Sequence, residues 1–149
     1  MEKEEYISQV TQVLDSSSQD IKEKFHDALG AIPEKAKSIA VCVFTDQEGE
    51  GFLDIRISLD GPDLYNLNKE IKDNADLFET KIVEGKVEPP MPLLDPFDLD
   101  FDSADTLVDT ASSWLEKELK NTDLSKVNIP ITILNPDGYG TLKPIKLKR

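Results

Sequence analysis

One cysteine, one histidine and one tryptophan are all that this chain of 149 residues carries of those three types. The lone Cys42 excludes a disulfide within the chain, so cysteine usage gives no sign of an oxidising compartment. The lone His26 restricts any serine or cysteine triad to a single imidazole. Apolar runs of the roughly 20 residues that a membrane helix needs are absent. Positive charge is scarce: 17 Lys and Arg stand against 30 Asp and Glu, a net charge of −13. That charge repels nucleic acid and anionic lipid, so neither is expected as a direct partner, whereas a basic protein surface is attracted. The first residues, MEKEEYIS, are acidic where a secretory leader is basic, and the cytoplasm is the expected location.

The shortage of cations is most extreme between Lys86 and Lys117, where no Lys or Arg occurs. Asp95, Asp98, Asp100, Asp102, Asp105 and Asp109 lie in that gap, with Phe97, Leu99, Phe101, Leu107 and Trp114 threaded between them. The six aspartates and Trp114 are the candidate partner-binding residues. Interfaces concentrate binding energy in Trp, Tyr and Arg, so an exposed Trp114 beside Asp105 and Asp109 would be a hot spot. The commoner place for a tryptophan on such a helix is the core.

Periodicity supplies the framework. Residues 2–14 set Tyr6, Ile7, Val10, Val13 and Leu14 on a helical stripe, with glutamates at the end where the helix dipole favours them. Ser17 and Asp20 have the spacing of a capping box, and Ile21, Phe25, Ala28 and Leu29 give a second helix its apolar face. One long bent helix is the competing reading. Ser38–Thr45 (SIAVCVFT) is apolar on both alternating faces and reads as a central strand covered on both sides. After the glycine-bearing turn 46–51, residues 52–59 alternate cleanly and complete a hairpin. A short helix follows Pro62, a third strand is expected within 77–87, and the prolines of 88–92 make an extended connector. Phe97, Leu99 and Phe101 alternate with aspartates, which predicts a strand with these three side chains turned inward. Asp102 or Ser103 then caps an amphipathic helix carrying Leu107, Val108, Ala111, Trp114, Leu115 and Leu119. Residues 127–134, crossed by Pro130, read as an edge strand, and 142–148 as its partner. The sum is one domain over 1–149 of the α+β class, with a mainly antiparallel sheet of about four to six strands packed against about three to four helices.

Motifs of catalysis are weak. His26 sits on a helix beside Phe25, and Cys42 lies inside the most apolar strand, where a thiol is inert. Gly49-x-Gly51 and Gly138-x-Gly140 are hairpin turns without the strand-to-helix setting of a phosphate loop. With 30 carboxylates some pairs are close by chance. Asp98-x-Asp100-x-Asp102, with Asp109 twelfth, resembles the calcium loop of EF-hand proteins. It departs from that pattern at Ser103 in the glycine position, at the charged Asp105 in the apolar one, and at Asp109 in place of glutamate. A solvated strand followed by a helix cap accounts for the same residues. No metal, cofactor or catalytic residue is therefore expected.

A small, acidic, cysteine-poor chain without a catalytic motif is similar in general character to bacterial immunity proteins that block nuclease toxins. The similarity spans the whole chain and assigns no individual residue. It implies a non-catalytic binding protein whose aspartates at 95–109 meet a basic toxin partner. The alternative is a structural or regulatory domain whose acidity serves solubility.

Overall fold

Strand β1 (Ser38–Thr45) is the middle of a five-stranded sheet ordered β3-β2-β1-β6-β7. The computed structural model describes residues 1–148, apart from the side chain of Asn74. Helices α1 (Lys3–Ser16) and α2 (Ser18–Gly30) precede β1, and β2 (Leu53–Asp60), α3 (Leu64–Glu70) and β3 (Asp76–Glu79) follow it. A separate hairpin comes next, β4 (Lys81–Val83) with β5 (Lys86–Glu88), before α4 (Ser103–Leu119), β6 (Ile131–Leu134) and β7 (Ile145–Lys148). Neighbours pair antiparallel except β1 with β6, which run parallel. The α+β architecture and the mainly antiparallel sheet expected from periodicity are both present.

Register explains the core. Val41 lies opposite Ile57 on one side and Ile133 on the other, and Ile39 lies opposite Leu59 and Ile131. These side chains share one face with Val43, Leu53 and Ile55, as a period of two requires. Tyr6, Val10 and Leu14 of α1, Ile21 and Phe25 of α2, and Leu107, Ala111 and Leu115 of α4 join them in one continuous buried cluster. Each large apolar side chain so buried contributes on the order of 1.5–3 kcal/mol before the cost of ordering the chain.

Three expectations are corrected. β1 is covered by helices on the Ile39–Val41–Val43 face alone: Cys42 stands outside that cluster, and Ala40 and Phe44 beside it are half-buried. β6 is an inner strand between β1 and β7. Pro130 stands just outside the ladder, where its missing N–H costs nothing and its carbonyl accepts from Ile39 N at 2.8 Å. Residues 97–101 are not a strand: Pro96–Asp98 form a 3-10 turn and Phe97 is 95% exposed. The alternation was genuine, but the preceding Asp95-Pro96 starts a turn, and no neighbouring strand pairs with the segment.

The break between the first helices falls at Ser17, which occupies the cap position without a side-chain cap bond. The strand expected within 77–87 is three short ones, of which β3 alone joins the main sheet.

Candidate functional site

Two loops meet at the end of the sheet where β1 runs into β2. In the first, the Asp46 carboxylate accepts the backbone N–H groups of Glu50 (2.9 Å), Gly51 (3.0 Å) and Phe52 (3.0 Å). The turn is tight enough to need glycine: at Gly51, with φ 116°, a Cβ would lie 2.8 Å from the Pro92 carbonyl oxygen. The second loop, residues 92–102, is bolted to the first at both ends. Leu94 N–H donates to Glu50 O at 2.7 Å, and the buried Ser103 hydroxyl donates to Gly49 O at 2.8 Å. Asp95 accepts from Phe97 N–H at 3.0 Å and fixes the 3-10 turn. Beneath it, the Phe101 ring packs against Tyr6 at a centroid distance of 5.8 Å.

The outcome is an acidic pole. Asp95, Asp98 and Asp100 are exposed in the same loop as Phe97, as is Leu93 at 42%. Glu48 and Glu50 belong to the adjoining loop. The Glu50 carboxyl is pushed up from its ordinary range, first by a hydrogen bond shared with Glu48, then by partial desolvation and by the negative charges of Glu48, Asp46 and Asp95. That shift is the local record of crowded negative charge.

The other candidates have different duties. Asp102 caps α4, accepting Asp105 N–H at 2.9 Å. Asp105 accepts Gly140 N–H at 2.7 Å. Asp109 accepts Thr141 N–H (2.8 Å), the Thr141 hydroxyl (2.6 Å) and Leu142 N–H (3.2 Å). These two carboxylates therefore clamp the turn before β7 onto α4. Gly140 permits that approach, because a Cβ there would meet Val108 Cγ1 at 2.9 Å. Trp114 is 6% exposed and its indole is engaged by Asp15, so it is a packing residue and not a presented hot spot. Asp102, Asp105, Asp109 and Trp114 do line one open groove between α1 and α4, together with Lys3 and Ile7.

Among the described residues, no three His, Cys, Asp or Glu side chains converge where a metal ion could sit. Within the EF-hand-like spacing at 98–109, Asp102 accepts a helix-cap bond and Asp109 holds a turn, so these carboxylates are directed to different tasks. His26 is exposed on α2, and Cys42 is buried.

Phe97 is the site residue that periodicity turned the wrong way. Its signal was the Asp95-Pro96 pair, which favours turn initiation. Among the described residues, no helix is long and apolar enough to cross a membrane. No curated protein and no solved structure matches the chain. Over residues 1–149 the sequence matches the family of unknown function DUF6389, and the chain belongs to that family.

Proposed function

We propose that this protein is a non-catalytic binder that neutralises a basic protein partner through the pole built by residues 46–51 and 92–102. The nearest class in general character is the bacterial cytoplasmic immunity protein that blocks a nuclease toxin. One observation carries the reading: Phe97 is 95% exposed, in the same short stretch as the exposed Asp95, Asp98 and Asp100, on a loop braced by hydrogen bonds. An exposed aromatic on a floppy loop loses binding energy to ordering; one on a braced loop is pre-organised. Carboxylates around it steer a cationic surface and suppress wrong partners. Nucleic acid and membranes are disfavoured by the net charge of −13.

The test is affinity capture from the native host, washed at low and high salt, with the wild type beside F97A and the triple variant D98N/D100N/D102N. Asn at position 102 still caps a helix, so the triple change removes charge and leaves the cap in place. One stoichiometric basic protein, held by wild type, weakened by salt and lost from both variants, supports the proposal. A partner retained equally by both variants refutes the pole as the docking face. Absence of any specific partner favours the structural or regulatory alternative.

A further inference from the structure

Helices α1 and α4 run side by side in the same direction. Tyr6 meets Phe101 just before α4, Asp15 holds Trp114, and Ser18, just past α1, donates to Glu118 at 3.2 Å. An open groove of about 540 Å³ lies between the two helices. Lys3, Ile7 and Thr11 form its wall on α1. Thr106, Thr110 and Trp114 form its wall on α4, with Asp109, Ser113 and Lys117 in the neighbouring row. Each row has a spacing of four residues, the ridge by which helices pack into one another's grooves.

The polar groups of these walls are spent inside the protein. The hydroxyls of Thr11, Thr106 and Thr110 donate to the carbonyls four residues back, at 2.7, 2.6 and 2.7 Å. The Trp114 indole N–H is held by Asp15. An extended segment would bring backbone N–H and C=O groups that such walls leave unpaired, whereas a helix satisfies its own.

Charge is placed at the ends of the groove. Asp102, Asp105 and Asp109 line the end where α4 begins, with Lys3 offsetting one of them, and Lys117 stands at the other end. Because α1 and α4 are parallel, their dipoles add, and a third helix running antiparallel to both opposes them. Its last turn, where Lys and Arg are favoured, would meet the aspartates, and an acidic first turn would meet Lys117. Asp102 to Lys117 spans roughly 22 Å of helix, room for about four turns.

We infer that the α1–α4 groove receives an amphipathic helix of another protein, antiparallel to both walls, with a stripe of small and aliphatic residues, an acidic start and a basic end. This is the helix-in-groove mode of recognition. Apart from Asp102 it uses no residue of the acidic pole, and it stands whether or not the pole has a basic partner.

Trp114 lines the groove and is the single tryptophan of the chain, so its emission reports occupancy directly. The probes are two tryptophan-free synthetic helices of roughly 16 residues with the same stripe of Ala and Leu. One has an acidic first turn and a basic last turn, and the other has the reverse. The first is expected to saturate the Trp114 signal with a Kd below about 1 mM, and the second to bind at least about tenfold more weakly. Ser113 is exposed in the free protein, so Ser113→Arg keeps the fold while placing a cation in the middle of the groove. It is expected to weaken the first peptide by about tenfold or more. Lys117→Glu is expected to narrow the gap between the peptides, and Phe97→Ala to change neither. A titration in which neither peptide saturates overturns the inference. So do equal affinities for the two peptides, a Ser113→Arg variant that binds as wild type, or loss of binding in Phe97→Ala.

Discussion

The indole N–H of Trp114 donates to Asp15 Oδ1 at 2.8 Å, joining residues 99 apart in sequence. The bond ties the last turn of α1 to α4 and satisfies the one polar atom of a side chain that is 6% exposed. Asp15→Ala leaves that N–H unpaired and is expected to lower stability by about 1–3 kcal/mol, whereas Asp15→Asn, which keeps an oxygen acceptor, costs less. Urea unfolding followed by the fluorescence of the single tryptophan measures both. Asp15→Ala within error of wild type would show that the bond has no net value.

Tyr6 is fully buried, and its hydroxyl has no hydrogen-bond partner among the described residues. Tyr6→Phe removes an unpaired polar group and keeps the ring, so stability is expected to be unchanged or raised by up to about 1 kcal/mol. Tyr6→Ala empties the site under Phe101 and is expected to cost about 3–5 kcal/mol. Burial first, and the charge of Asp46 second, hold the phenol well above its ordinary 10.0. The native state thus keeps a proton that the unfolded chain gives up above that value, and stability falls as pH rises past it. Denaturant midpoints between pH 9 and 11 should show a downward slope that is shallower in Tyr6→Phe.

Asp98 and Asp109 carry the same charge in the same acidic stretch and are expected to behave differently. Asp109→Ala frees three hydrogen bonds to Thr141 and Leu142 and is expected to cost about 1–2 kcal/mol. Asp98→Ala, exposed and bonded through its backbone, is expected to stay within about 0.5 kcal/mol of wild type. Thermal unfolding compares the two, and amide exchange at Thr141 and Leu142 should accelerate in the first variant alone.

The Cys42 thiol is buried, and burial pushes its pKa up while Arg56, directly opposite on β2, pulls weakly the other way. The native thiol is therefore expected to react with an aromatic disulfide reagent at pH 8 at least about a hundredfold more slowly than in the urea-unfolded chain. Equal rates would show that the uncovered face of the sheet opens readily.

Local patterns were legible where packing agreed with them. The stripe of Leu107, Ala111 and Leu115 and the Asp102 cap placed α4 closely, and the alternation of Leu53 to Leu59 placed β2 and its buried face. Phe97 was misread because a period of two says which side chains share a face, not whether a core lies on it. Pro130 was read as an edge marker, yet β6 begins one residue later and lies inside the sheet. Asp105 and Asp109 looked like presented charge, because nothing local shows that the turn at 140–142 returns to α4. The acidic gap thus divides into a presented half, 95–100, and a structural half, 102–109.

The parallel pairing of β1 with β6 sets a clock on folding. β2 lies beside β1 after a short loop, but Ile39 waits for Ile131, and the Val43 carbonyl waits for the Asn135 amide, 92 residues away. The entropy of closing so long a loop grows slowly with length, yet such contacts slow the search for the native state. Until β6 docks, the central strand has a bare edge flanked by Ile39, Val41 and Val43. That interval is when the chain is most exposed to mispairing, and a nascent polypeptide remains in it until Ile131–Leu134 have emerged.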